Sequence, residues 1–386
     1  MIDRPRALKA LKTALANNPV AVLLGPRQCG KTTLARRLAE DMPATWFDLE
    51  RPADCAKLEN AELILSSLTG LVVIDEVQRR PELFTVLRPL ADRPQSNTQF
   101  LLLGSAAPDL VKGVSESLAG RAGFVDLGGF ELADVGAAKQ ERLWLRGGLP
   151  RSFLARDDKT SLDWRQDFIR TFLERDMPQL GIRIASTALM RFWTMLAHYH
   201  GQIWNGAELA RSLGVSEKTV RSHLDLLTGA FVLRQLAPWY ENVGKRQYKA
   251  PKIYVRDSGL LHALLGIEDR LGLAGHPKYG ASWEGFALEQ VLSAAGTRQA
   301  FFWATHSGAE LDLLWFAGGR RYGVEFKCAD APVMTRSLHI ALGDLKLERA
   351  WIVYPGNDSY PVHQRVRVCP LSEAIIELAR LAGRSR

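Results

Sequence analysis

The chain has 386 residues, 50 Lys and Arg against 42 Asp and Glu, a net charge of +8, and 47% hydrophobic residues. This balance excludes disorder as the main state, since disordered chains are poor in apolar residues, and the length predicts two to four domains at roughly 100–200 residues each. The longest apolar runs (20–24, 71–74 and 100–103) fall well short of the ~20 residues a bilayer crossing needs, so no membrane partner is expected.

Met1 to Arg6 is charged, with no apolar stretch behind it, and reads as no secretory signal. Cys29, Cys55, Cys328 and Cys369 stand alone, which argues against a disulfide framework or a zinc site and for a reducing cytoplasm. A pI near 9.4 permits a polyanionic partner without demanding one.

The first motif follows a buried-strand run, Ala21 to Leu24. It reads Gly25-Pro26-Arg27-Gln28-Cys29-Gly30-Lys31-Thr32-Thr33 and leads into a helical pattern, Thr33 to Asp41. It fits G-x-x-x-x-G-K-[ST] at every position. Glycines let the backbone wrap a phosphate with successive N–H groups turned inward, and the helix N-terminus adds partial positive charge. These nine residues are assigned to ATP, with Lys31 on the β- and γ-phosphates and Thr32 on Mg²⁺. Leu71 to Glu76 reads as a buried parallel strand ending in two carboxylates. Asp75 is assigned to the Mg²⁺ shell and Glu76 to orienting and deprotonating the attacking water; the plain alternative for Glu76 is a surface acid. A third strand, Phe100 to Leu103, ends in Gly104-Ser105, where the hydroxyl can meet the γ-phosphate or the water. Glu116 to Arg121 then precedes a strand from Phe124 to Leu127.

At this point the sequence resembles the AAA+ ATPases. The resemblance implies that Arg121, just before the next strand, enters a neighbouring subunit's site and that the active form is a homo-oligomer; a surface arginine with a salt-bridge partner is the alternative. Gly-Pro-Arg-Gln-x-Gly-Lys-Thr, the Ser117-Leu118-Ala119-Gly120-Arg121 stretch and Trp144-Leu145-Arg146-Gly147-Gly148-Leu149-Pro150 together look like one prokaryotic AAA+ group. The C-terminal part of that group is similar to a winged helix fused to a restriction-endonuclease-like fold.

From about Leu132 to His200 the pattern is helical. Phe168 to Asp176 has apolar spacings of three and four and is expected in a lid; Arg170 and Arg175 are expected on its solvated or ion-paired face, with sensing of the γ-phosphate the alternative. Ala207 to Leu224 reads as helix-turn-helix. Gly214 ends the first helix, Ser216 caps the second, and Leu209, Leu213, Val220, Leu224 and Leu227 supply the core. Lys218, Arg221 and Ser222 would face a DNA groove, and Lys245 and Arg246, at the tip of a wing, would meet phosphates. Packing or protein contact is the alternative use. Further on, Trp283 to Leu292 is an amphipathic helix, Glu310 to Phe316 a strand, and Tyr322 to Lys327 its partner across a Gly318-Gly319 turn. Asp312 with Glu325-x-Lys327 fits the D…E-x-K nuclease pattern. Glu325 and Lys327 share one strand face, Asp312 and Glu325 are candidate Mg²⁺ ligands, Lys327 is the water-activating group, and Glu284 completes the shell. A binding-only role is the alternative. Trp239, Tyr240, Trp283, Trp303 and Trp315 are either base-stacking or core residues.

The fold class expected is α/β: an AAA+ P-loop NTPase core (1–133), a helical lid (134–200), a winged helix (201–258) and a PD-(D/E)XK nuclease-like α/β domain (259–386). The function expected is Mg²⁺-dependent ATP hydrolysis by an oligomer that binds or remodels DNA. The alternatives are a nucleotide-dependent switch acting on a protein partner and an ATP-regulated endonuclease.

Overall fold

The computed structural model describes residues 2–94, 97–105, 108–179, 184–240, 248–296 and 299–383. Internal contacts divide the chain into two units, Met1–Phe130 with Asp225–Val232, and Glu131–Leu224 with Leu233–Arg386.

The first unit is built on five strands: β1 Val20–Gly25, β2 Ala44–Asp48, β3 Gly70–Asp75, β4 Thr98–Ser105 and β5 Ala122–Asp126. They form one parallel sheet in the order β2-β3-β4-β1-β5. The near-continuous apolar runs of β1, β3 and β4 are buried, as expected of parallel strands covered on both faces. Helices with apolar residues three and four apart accompany the sheet. Pro5–Asn17 buries Leu11 and Leu15, Lys31–Ala39 buries Leu34, Ala35 and Leu38, and Leu83–Ala91 buries Phe84, Leu87 and Leu90. Parallel register brings the carboxyl ends of the central strands to one edge, with Gly25 opposite Ser105 and Asp48 opposite Asp75.

The second unit begins with helices. Asp158–Thr171 runs on into a π-helical turn, Phe172–Asp176. In that segment Arg170 pairs with Glu174 one turn away. The Trp144 to Pro150 segment is a packing hub. Trp144 Nε1 donates to Ser282 Oγ at 2.9 Å, and the Arg146 guanidinium meets Asp158 at 2.6 Å. Gly147 has φ +75°, and a Cβ there would lie 2.1 Å from Asp257 Oδ1, so any other residue would be strained and would displace that carboxylate. Fully buried Arg165 donates to the carbonyls of Leu145 and Gly259.

Nine strands follow: β6 Gln202–Ile203, β7 Leu233–Pro238, β8 Lys252–Val255, β9 Ala300–Ala304, β10 Glu310–Ala317, β11 Arg320–Phe326, β12 Arg349–Tyr354, β13 Tyr360–His363 and β14 Val366–Pro370. They make a single mixed sheet in the order β13-β14-β12-β11-β10-β9-β7-β8-β6. The sheet crosses the expected boundary at 258 without a break, because β7 leaves an edge that β9 pairs in parallel through Ala237 and Phe301. β10 and β11 are joined by Gly318-Gly319, both at positive φ, as a two-residue hairpin turn requires. The helix Tyr279–Ala295, expected to be amphipathic, is buried on most of its circumference, including Trp283, Phe286, Ala287, Leu288, Val291 and Leu292. It packs on both the sheet and the helix Leu371–Gly383. Trp283, Trp303 and Trp315 are core residues; of the aromatics considered for base stacking, Tyr240 is exposed. Among the described residues no helix is long and apolar enough to cross a membrane.

Candidate functional site

The Gly25 to Thr33 loop leaves β1 and enters the helix Lys31–Ala39, as the motif requires. A Cβ on Gly25 would lie 2.1 Å from the Leu127 carbonyl oxygen. Gly30 stands at φ +99° with open space on its side-chain side, and Gln28 also has positive φ. Cys29 is buried, whereas the Gln28 and Thr33 side chains are exposed. Lys31 is 6% exposed, and its Nζ donates to the carbonyls of Gly25 at 3.1 Å and Pro26 at 3.0 Å. The loop's own carbonyls thus hold the ammonium at the concavity. Arg27 pairs with Glu50 at 2.9 Å, and Arg79 reaches the same oxygen at 3.6 Å. Arg4 ties the loop down from the N-terminal side, donating to the carbonyls of Cys29 (3.3 Å), Gly128 (3.1 Å) and Gly129 (2.7 Å).

Thr32 Oγ1 donates to Asp75 Oδ2 at 2.8 Å, and the Glu76 N–H donates to Asp75 Oδ1 at 2.9 Å. Burial pushes the Asp75 carboxyl above its usual range, against the pull of these hydrogen bonds. A hydroxyl and a buried carboxylate in contact are hard oxygen donors, so the residues fit Mg²⁺. Glu76 follows with φ +55°, a strained value for a non-glycine residue that a functional position can retain. Its carboxylate accepts from Gln78 Nε2. Ser105 closes β4 opposite Gly25. Lys31, Thr32, Asp75, Glu76 and Ser105 are therefore gathered at one sheet edge.

Arg121 lies elsewhere. It precedes β5, at the amino end of the sheet, where Ala122 is opposite Val20. A six-residue strand at ~3.3 Å per residue puts it roughly 20 Å from the phosphate loop, so it cannot serve its own site. Its Nε and Nη2 hold the two oxygens of Asp92 at 2.6 and 2.7 Å. That hydrogen-bonded pair draws the Asp92 carboxyl down and the Arg121 guanidinium up.

Helix Gly206–Leu213 ends at Gly214 (φ +69°), and Ser216 Oγ accepts from the Thr219 N–H at 3.1 Å to cap Glu217–Gly229. Val220, His223 and Leu224 are buried, while Lys218, Arg221 and Ser222 share the exposed side. Lys245 and Arg246 lie outside the described residues.

The four residues of the nuclease pattern come together, with additions the pattern did not foretell. A bulge in β10 between Leu311 and Leu314 re-aims Asp312, whose Oδ2 accepts from the Phe326 N–H at 2.9 Å. Lys327 meets Glu325 at 2.8 Å, and Thr335 Oγ1 donates to both Glu325 oxygens. Lys252, 3% exposed, enters from β8. Its Nζ lies 3.1 Å from Glu284 Oε1 and 3.5 Å from Asp312 Oδ1, and it also contacts Glu310. Tyr254 OH donates to Glu284 Oε1 at 2.6 Å. Burial opposes the charge on Lys252, yet the surrounding carboxylates hold its amine well above the usual range. Burial and the Glu284 charge push the Asp312 carboxyl up. The expected Mg²⁺ pair, Asp312 and Glu325, does not fit an ion here: Asp312 is turned to Lys252, and Glu325 to Lys327 and Thr335. Among the described residues no three His, Cys, Asp or Glu side chains are grouped to hold a metal. A lysine opening an otherwise apolar strand, Lys252-Ile253-Tyr254-Val255, was the available sequence signal. Arg4 and Asp92 carried none.

Residues 17–135 match the family model of the AAA domain. Residues 137–271 and 279–374 match two domains of unknown function, DUF8612 and DUF4143. The chain is 52% identical over 375 residues to the uncharacterized protein Rv2008c of Mycobacterium tuberculosis, covering 97% of this chain and 85% of that protein, with the same figures for Mb2031c of Mycobacterium bovis. The Walker-type ATPase paby2304 of Pyrococcus abyssi shares the fold, with a TM-score of 0.51 at 17% identity over 69% of this chain and 96% of that one. The chain belongs to the family of these mycobacterial proteins, and its first unit is an AAA-domain ATPase.

Proposed function

We propose that the protein is an oligomeric, Mg²⁺-dependent ATP hydrolase of the cytoplasm whose nucleotide cycle controls the binding or remodelling of DNA. The observation that carries the reading is the Thr32–Asp75 contact beside Lys31. Lys31 leaves the Gly25 and Pro26 carbonyls to donate to phosphate oxygens. Thr32 and Asp75 hold the cation. Mg²⁺, when bound, neutralises charge on the β- and γ-phosphates. Glu76 accepts a proton from the attacking water, which Ser105 helps to orient. Arg121 releases Asp92 and stabilises charge in a neighbouring protomer's site.

The core is read as ending near 133 and the second unit as lid and winged helix divided near 200, with the nuclease-like strands after 258 continuing the sheet of the winged helix. The change of unit after Phe130 and the end of the AAA match at 135 support the first of these boundaries. The exposed Lys218, Arg221 and Ser222 on a capped helix and the net charge of +8 support contact with DNA phosphates. The test is electrophoretic binding of Glu76→Gln protein, loaded with ATP, to single-stranded, duplex and four-way DNA, beside the ATPase rate with and without each DNA. Binding in the ATP state and stimulation of the wild type are expected. No binding and no stimulation by any of them would overturn the DNA reading and favour a switch acting on a protein.

A further inference from the structure

The carboxylate cluster of the second unit already contains a cation. Glu284, Glu310 and Asp312 come from helix Tyr279–Ala295 and strand β10, and each meets the Lys252 ammonium. An ammonium has three donors and no acceptor, so three carboxylates use its whole capacity. The carboxylates are themselves oriented from outside: Tyr254 OH on Glu284 and the Phe326 N–H on Asp312. The Lys252 stem is enclosed, with Nζ 5.8 Å from the centre of the Phe302 ring. All three carboxylates lie within ion-pair reach of that one nitrogen.

We infer that Lys252 is the resident counter-ion of this site, standing where a divalent metal would otherwise bind, so that the second unit works without metal-dependent phosphodiester cleavage. The physical reason is competition. A tethered buried ammonium is present at every metal concentration, and a divalent ion would have to displace it into the protein interior, where an unpaired charge is costly. Removal of the amine leaves three carboxylates without their cation, so that they shift to take up a divalent ion in its place or the fold loses stability. The inference does not depend on the nucleotide site or on DNA binding.

The test uses full-length, nucleotide-free protein and Mn²⁺ as probe, read by the loss of the free-ion electron paramagnetic resonance signal. Wild type and Asp312→Asn should bind Mn²⁺ equally, since neither has a metal at this site. Lys252→Ala should gain one Mn²⁺, lost again in Lys252→Ala/Asp312→Asn. The unfolding temperature of Lys252→Ala should fall by roughly 10 °C and recover in millimolar Mn²⁺, with wild type unmoved. A gain of no ion and no recovery in Lys252→Ala would overturn the inference. If that variant cannot be obtained folded, wild type decides: Mn²⁺ binding, or cleavage of DNA in Mg²⁺ or Mn²⁺, that disappears in Asp312→Asn would equally overturn it, whereas wild-type binding unchanged by Asp312→Asn together with no cleavage supports it.

Discussion

Thr32 donates its hydroxyl hydrogen to Asp75 at 2.8 Å, across 43 positions of sequence. The pair joins the end of the phosphate loop to the end of β3, and Lys31 lies one residue away, folded onto the Gly25 and Pro26 carbonyls. Lys31, Thr32 and Asp75, the groups that would meet phosphate and Mg²⁺, are thus each hydrogen-bonded within the protein.

Replacement of Lys31 by Ala should abolish ATP binding, measured with a fluorescent nucleotide. Asp75→Asn should weaken only the Mg²⁺-dependent part of that affinity. Glu76→Gln should bind ATP as wild type does while turnover falls by roughly 10²–10⁴-fold, the usual contribution of a general base. Loss of binding in Glu76→Gln would instead make its strained φ a structural requirement.

Arg121 and Asp92 can be separated by the same assay. In the trans reading Arg121→Ala lowers turnover by roughly 10³-fold, and Asp92→Ala keeps it or raises it, because the guanidinium is released. Turnover per protomer should also rise with protein concentration. Equal, small effects of the two variants would reduce the pair to a surface ion pair.

Gly25→Ala should destabilise the first unit by about 1–3 kcal/mol, the usual cost of overpacking, since the new methyl would lie 2.1 Å from the Leu127 carbonyl oxygen. Thermal unfolding followed by circular dichroism reads this directly.

Glu289 sets a pH dependence. Burial works against its charge, but Arg234 and Arg256 overcome it and hold the carboxyl down to about 2. The folded value lies below the unfolded one, so this stabilisation is complete above pH ~4.5 and is lost as pH falls towards 2. At about 1.4 kcal/mol per unit it amounts to about 3 kcal/mol at most. Glu289→Gln should be less stable than wild type at pH 7, and the gap should narrow in urea unfolding repeated towards pH 3.

Lys218→Ala/Arg221→Ala should weaken binding to all DNA forms alike. The slope of log affinity against log salt should fall by about 1 for each lost phosphate contact. An unchanged slope would free this helix for protein contact.

The sequence by itself determined that the first unit carries an ATPase phosphate loop. A phosphate loop needs contiguous residues, and Gly25 to Thr33 supply backbone, charge and hydroxyl within one short stretch. Asp75 was legible because it ends an apolar run, as a parallel strand must. Gly214 and Ser216 marked a helix end and start by local backbone chemistry alone. The tertiary structure decided what distant residues share. It gave Arg121 to Asp92, tied the loop to Arg4, and joined β7 to β9 across the expected boundary. It also brought Lys252 into the carboxylates of the nuclease pattern. None of these has a periodic or adjacent signature: a cation's effect depends on which carboxylates surround it in space, and Lys252 reaches Glu284 and Asp312 across 32 and 60 positions. The D…E-x-K spacing places Asp312, Glu325 and Lys327 along the chain, and only the fold shows that Lys252 reaches Asp312 and, beside it, Glu284.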